Sequence, residues 1–250
     1  MIELRDVTKR FGPFTAVHRV SFTVRPGEVV GLLGENGAGK TTTMRLIAGI
    51  LRLSEGEIRI GDTLIDTSPM IARKRVGLLF GGDVGLYHRL TAWENIAFFG
   101  RLYGMKEADL REQIDRLSNH LGMGAYIERR VGAFSRGMKQ KVAIARALVH
   151  NPAAILLDEP TTGLDVSGAT VFRRLIVEMK REGKAILFSS HNMDEVEKLC
   201  DRVAIMHKGT IRYCGTLEQW LGSSGSNDLN ERFMRMIEGG EQDAEPNGLD

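Results

Sequence analysis

Glu28-Val-Val-Gly-Leu-Leu-Gly-Glu-Asn-Gly-Ala-Gly-Lys-Thr-Thr42 is the stretch that decides the architecture. Its first half is a continuous apolar run closed by Gly34, the pattern of a strand buried on both faces. Its second half, Gly34 to Thr41, fits G-x-x-x-x-G-K-[ST]. Beyond it, Lys40 to Ile50 carries Met44, Leu46, Ile47 and Ile50 at helical spacing. Residues 28–50 therefore read as strand, glycine loop, helix. The loop residues Gly34, Asn36, Gly37, Ala38 and Gly39 let backbone N–H groups converge on phosphate oxygens without side chains in the way. The helix that follows aims its positive end at the same anion. Lys40 supplies a point charge for the β- and γ-phosphates, the Thr41 hydroxyl suits Mg²⁺, and Thr42 is a second phosphate contact.

Working outward, Ala153-Ala-Ile-Leu-Leu157 is a second apolar strand, ending in Asp158-Glu159. The carboxyl edge of a parallel sheet is where open α/β folds bind ligands. Adjacent strand residues point to opposite faces, so the two acids are expected to divide the labour. Asp158 suits a Mg²⁺-linked role and Glu159 a base for an attacking water. More buried strands are read at 76–80, 185–189 and 203–206, with helical patterns at 91–103, 107–121, 137–149, 167–182 and 193–199. Their alternation predicts an α/β fold, a phosphate-loop parallel sheet covered on both sides. Segments 2–7 and 15–24 read as an antiparallel edge subdomain.

Phe134-Ser-Arg-Gly-Met-Lys-Gln-Lys141 precedes an Ala- and Val-rich helix, 158 − 135 = 23 residues before Asp158. It resembles the signature segment of ATP-binding cassette (ABC) ATPases, whose common form is Leu-Ser-Gly-Gly-Gln. Read with the phosphate loop, Leu157-Asp-Glu-Pro-Thr161, Gly163-Leu-Asp165 and Ser189-Ser-His191, the resemblance covers roughly residues 1–220. It is greatest to ATPase subunits of two-component exporters, among them sodium-extrusion and drug-resistance systems. The resemblance implies a homodimer with ATP and Mg²⁺ clamped between one chain's phosphate loop and the other's signature. Ser135 and Gly137 would then cap the γ-phosphate in trans, and Asp165 would lie across the same interface. His191 would contact the γ-phosphate beside Glu159, and Phe11 would stack on adenine. The implied activity is ATP hydrolysis that powers a separate integral membrane permease, the chain lying peripherally on the cytoplasmic face of the membrane. A helical signature subdomain is expected over about 84–150.

Two departures stand out. Aligned from Val76-Gly77, the place of the family's Q-loop glutamine holds Gly81, with Asp83 two residues on as a substitute oxygen. The signature carries Arg136 for its first glycine and Met138 for glutamine. These changes bear on turnover and coupling, not on which nucleotide is bound. After Gly81 comes Gly85-Leu-Tyr-His-Arg-Leu-Thr91-Ala-Trp-Glu94, in which Thr91 and Glu94 fit a helix capping box. In the family this region forms the groove for a coupling helix, and Leu86, Tyr87 and Trp93 are the wall candidates. Two other readings stay open: a soluble ABC ATPase of a cytosolic assembly complex, and a nucleotide-gated module with little turnover.

Composition sets the outer bounds. The 250 residues are 42% hydrophobic and 26% charged, with a net charge of +2, an ordinary globular balance. No unbroken apolar run exceeds seven residues, against roughly 20 for a membrane span. The Met-Ile-Glu-Leu-Arg-Asp start has neither the basic nor the apolar stretch of a secretory signal. Two cysteines, Cys200 and Cys214, make no disulfide framework and suit a reducing compartment. Residues 222–250 hold seven acids and two bases, a charge of −5, which leaves +2 + 5 = +7 on the rest without a clustered run. That does not point to nucleic acid. The division expected is an ATPase domain over 1–221 and a flexible acidic extension over 222–250, with a short helix at 228–238 carrying Leu229, Phe233, Met236 and Ile237 on one side.

Overall fold

A computed structural model of the chain describes residues 1–80, 85–190, 193–222 and 229–237. Two long antiparallel strands, β1 (Ile2–Phe11) and β2 (Phe14–Val24), come first, joined through Gly12-Pro13. The apolar run follows as β3 (Val29–Leu33) and leads over the glycine loop into α1 (Lys40–Ile47). Next are β4 (Glu55–Ile60), β5 (Thr63–Leu64), α2 (Pro69–Lys74) and β6 (Val76–Leu79). Three helices form the helical part: α3 (Ala92–Leu102), α4 (Glu107–Leu121) and α5 (Arg136–Leu148). Then come β7 (Ala154–Asp158), α6 (Val166–Arg181), β8 (Ala185–Ser189), α7 (Met193–Leu199) and β9 (Arg202–His207). The described part ends with β10 (Thr210–Thr216), α8 (Leu217–Gly222) and α9 (Leu229–Ile237).

The central sheet runs β10-β9-β3-β8-β7-β6, parallel except at its β10 edge. A second, antiparallel sheet runs β2-β1-β4-β5. Period-2 alternation makes the central sheet feed two cores. Val29 and Leu33, Ile155 and Leu157, and Ile186 and Phe188 face the helices. Val30 and Leu32, Ala154 and Leu156, and Ala185 and Leu187 face α1 and the antiparallel sheet. That is why these strands read as unbroken apolar runs.

The sequence pattern misses β4, β5, α2, β10 and α8. β4 buries little beyond Ile58 and Ile60, and β10 is half-exposed throughout, so neither shows a clear period. The capping box is present: Glu94 N donates to Thr91 Oγ1 at 3.0 Å and Thr91 N to Glu94 Oε2 at 2.7 Å. Asn95, fully buried, pins the preceding loop by accepting from Tyr87 N at 2.8 Å and donating to Thr91 O at 2.8 Å. Of the groove candidates, Leu86 needs correction. Leu86 is 8% exposed and part of the core. Trp93 is half-buried, with the Arg101 and Arg111 guanidinium groups 5.5 and 6.0 Å from its ring centre. Tyr87 is exposed, at 49%. Gly81 and Asp83 lie outside the described residues, as do 223–228 and 238–250. In α9, Phe233 and Met236 pack on the core; the side chains of Leu229 and Ile237 lie outside the description.

His150 closes the joint between α5 and β6. Its ring stacks on Tyr103 at 3.7 Å between centres, and its Nε2 lies 3.1 Å from Val76 O. Nδ1 is buried without a hydrogen-bond partner among the described residues. Burial pushes the imidazole down to about 4 from 6.5, against the pull of the Val76 carbonyl. The unfolded chain therefore binds a proton here that the folded chain refuses, so stability falls as pH drops from about 6.5 towards 4. The full difference is about 3 kcal/mol. His150→Phe keeps the stacking and cannot titrate. Urea unfolding at pH 7 and pH 5 should show a stability loss about 2 kcal/mol smaller for the variant than for the parent. Equal pH dependence of the two proteins would remove His150 from this role.

Candidate active site

The glycine loop is shaped by close contacts. A Cβ at Gly34 would lie 2.4 Å from Met206 O, and one at Gly39 (φ +107) 2.7 Å from Ala16 O, so neither position admits a side chain. No side chain caps the N-terminus of α1, so its first N–H groups face the loop. Lys40 Nζ bends back to Gly34 O at 2.5 Å and Glu35 O at 2.9 Å. Burial holds the Lys40 ammonium below its ordinary range, and Glu159, Asp158 and Glu35 oppose that shift. Gly34 and Ala38 form the back of the loop: Ala38 is buried, and its carbonyl accepts from Gly209 N at 2.9 Å.

Opposite stands the carboxyl edge of the central sheet. Thr41 Oγ1 donates to Asp158 Oδ2 at 2.8 Å, and Ser189 Oγ donates to Asp158 Oδ1 at 2.5 Å. Glu159 leaves the strand with φ 48, a left-handed backbone that a non-glycine residue adopts only when its surroundings hold it there. Its N–H donates to Ser189 O at 3.1 Å and lies 3.2 Å from Ser189 Oγ. This turn overrides strand alternation, so Asp158 and Glu159 share one cavity instead of facing opposite ways. That cavity, of about 460 Å³, is also lined by Asn36, Gly37, Gly39, Lys40, Thr41 and Thr42. The size suits a nucleotide.

Its outer wall holds an aromatic that the sequence reading did not name. Phe14, not Phe11, lines the cavity. The two are cross-strand partners on one face, and Phe11 has the Lys9 ammonium 5.0 Å from its ring centre. Nothing in the motif spacing distinguishes the two aromatics of one hairpin.

Ser135, Gly137 and Asp165 do not line this cavity. Ser135 is the exposed N-cap of α5 and accepts from Met138 N at 3.2 Å. Asp165 caps α6, accepting from Gly168 N at 2.7 Å. Asp165 lines a second cleft of about 340 Å³ with Thr161, Leu164 and Val166, and Glu159 borders both clefts. His191 lies outside the described residues; the flanking Ser190 donates to buried Glu195 at 3.1 Å. Sequence reading passed over Ser189, Glu195 and Gln140. For Ser189, its place at the end of an apolar strand was a usable signal.

The chain matches the ABC transporter family over residues 17–162. It is 51% identical over 241 residues to the ABC transporter ATP-binding protein NatA of Bacillus subtilis (strain 168), covering 95% of this chain and 98% of that one. The chain belongs to the ABC transporter family, as an ATP-binding subunit. It is also 39% identical over 232 residues to Nod factor export ATP-binding protein I of Paraburkholderia xenovorans (strain LB400), covering 93% and 76% of the two chains. The fold matches a dimeric post-hydrolysis state of the ATP-binding cassette MJ0796 bound to ADP and Pi. The TM-score is 0.78 and the identity 26%, over 87% of this chain and 99% of that one. The chain is thus an ATP-hydrolysing subunit. No helix among the described residues is long and apolar enough to cross a membrane.

A base stacked on an aromatic ring contributes roughly 1–3 kcal/mol. Phe14→Ala should therefore weaken ATP binding about tenfold, and Phe11→Ala less, by titration with a fluorescent ATP analogue. A larger loss for Phe11→Ala would return the base to Phe11.

Proposed function

We propose that two copies of this chain hydrolyse Mg²⁺-ATP at composite sites and drive an integral membrane permease, in export, from the cytoplasmic face of the membrane. The observation that supports this most is the convergence of Lys40, Thr41, Asp158 and Glu159 on one cavity. Thr41 Oγ1 and Asp158 Oδ2 are hard oxygens 2.8 Å apart, a donor set that fits Mg²⁺. The ion, when bound, neutralises charge on the β- and γ-phosphates.

The chain's own residues do the rest. Lys40 exchanges its two carbonyl partners for phosphate oxygens. Backbone N–H groups of the loop and the N-terminus of α1 hold the phosphates in line. Glu159 accepts a proton from the water that attacks the γ-phosphorus, as the bond to the ADP oxygen breaks. Ser135, Gly137 and Asp165 of one copy close over the nucleotide held by the other, and His191 steadies the γ-phosphate. The Ser135 oxygen accepts the cap bond, so its O–H remains to donate to an anion. The pairing of each open cavity with a distant signature explains why one copy is insufficient.

For the permease, α3 offers an aromatic face. Phe98 is 44% exposed, packs edge-on against exposed Tyr87 at 5.4 Å between ring centres, and neighbours exposed Leu102. The loop bearing Tyr87 is fixed by Asn95 and by Arg146 Nη1, which donates to Gly85 O at 2.8 Å. A stiff aromatic face suits the helix of a partner. The relative named for Nod factor export supports the outward direction. The transported molecule is selected by the permease, which this chain does not contain.

Glu159→Gln should bind ATP with the parent affinity, accumulate as a closed dimer in gel filtration, and hydrolyse at least 100-fold more slowly. Brisk hydrolysis by this variant would remove Glu159 as the base. Phe98→Ala should lower the transport obtained per ATP hydrolysed several-fold in reconstituted vesicles and weaken permease co-purification. An unchanged ratio would place the docking face elsewhere.

A further inference from the structure

The turn that aims Glu159 is gripped from two sides. On one side, Gln140 Nε2 donates to Pro160 O at 2.7 Å. Gln140 is 4% exposed and lies in the first half of α5, shortly after Ser135 and Gly137. Arg136 reinforces the grip: its side chain covers Gly163, where a Cβ would meet Arg136 Nε at 2.6 Å and Cδ at 2.7 Å. On the other side, Thr161 Oγ1 donates to Glu195 Oε2 at 2.9 Å. Between the two grips, Glu159 holds its left-handed backbone.

Gln140 is a polar side chain on a helix whose buried neighbours are Val142, Ala143, Ile144 and Ala145. Those residues already fix α5 to the core. What Gln140 adds is one directed bond to the residue next to Glu159. A buried amide is costly unless bonded, so its geometry is sharply set. The two ends of this link serve different nucleotides. The N-terminus of α5 faces the ATP held by the second copy, whereas Glu159 faces the ATP held by its own chain.

We propose that Gln140 is a positioning residue that joins the two ATP sites of the dimer through its hydrogen bond to the Pro160 carbonyl. Seating of α5 on the second copy's γ-phosphate fixes Pro160, and with it the angle at which the Glu159 carboxylate meets water in its own site. Each site then reaches full rate when the other is occupied. This rests on the reading above that Glu159 is the base and that the signature acts in trans.

The test uses the full chain with three substitutions. Gln140→Met keeps length and volume but has no donor. Gln140→Glu turns an acceptor oxygen towards the carbonyl. Glu159→Gln is measured beside them. ATP hydrolysis should be cooperative in the parent. Gln140→Met should lower kcat about tenfold and bring the Hill coefficient to one, with binding of a fluorescent ATP analogue and Tm close to the parent. Gln140→Glu should fall further in kcat. A Gln140→Met enzyme with parental kcat and Hill coefficient would overturn the proposal. So would a loss of kcat matched by an equal loss of ATP affinity and Tm, which marks a folding residue. Rapid hydrolysis by Glu159→Gln would instead sink the assignment of the base, whatever Gln140 does.

Discussion

Asp158 holds the two halves of the site together. Its carboxylate accepts from Thr41 at the start of α1 and from Ser189 at the end of β8. β8 lies between β3 and β7, so these two bonds tie three neighbouring strand ends into one edge. Hydrogen bonds to a charged acceptor contribute about 1.5–3 kcal/mol each, more than neutral ones. Thr41 of the phosphate loop lies 117 residues before Asp158, and Ser189 lies 31 residues after it; this junction sets their relative positions. Ser189 has a second task, because its backbone carbonyl holds the Glu159 N–H. One strand end therefore positions both acids.

The geometry also explains why the site is open in a single copy. The cavity floor is complete, with loop, cation, hydroxyl and acids in place. Ser135 and Asp165 do not line it, so in the proposed dimer its roof would come from the second copy. Glu159 borders both clefts, so anything that moves the 159–165 turn is felt on both sides. On the proposed reading of Glu159 as the base, a carboxylate that borders both clefts is suited to gating by association. The exposed Val166, next to Asp165, leaves that second cleft rimmed by an apolar side chain facing solvent.

Much of this was legible in the sequence, for identifiable reasons. The strands of the central sheet are buried on both faces and so appear as uninterrupted apolar runs. The glycine loop is legible because contacts at Gly34 and Gly39 exclude any other residue. The edges were harder. β4, β10 and α8 combine few buried positions with mixed composition, and tertiary pairing rather than local pattern makes them regular. Exposure is not encoded in residue type: of the groove candidates Leu86 fills the core and Tyr87 is exposed, while Phe98 and Leu102, which the sequence did not single out, face outward on the same helical unit. That Asp158 and Glu159 line one cavity was not legible, because it follows from the single residue where the backbone turns left-handed, a feature with no compositional signature. Phe14 was not legible because it is the direct cross-strand partner of Phe11, and motif spacing does not tell which of the two rings borders the cavity.

The cap role of Ser135 does not compete with the role proposed for it. As an N-cap it satisfies one of the free N–H groups of α5 with a lone pair. That bond uses neither its proton nor the remaining free N–H groups of the first turn. The cap therefore fixes the hydroxyl at the mouth of a helix whose positive end is turned outward, with a donor to spare. The same holds for Asp165, whose Oδ1 is committed to Gly168 while Oδ2 is not engaged by that bond. Each residue stabilises its helix in the single copy, and in the proposed dimer it would arrive at the interface already oriented, so that closing on a second nucleotide would require little further ordering of these side chains.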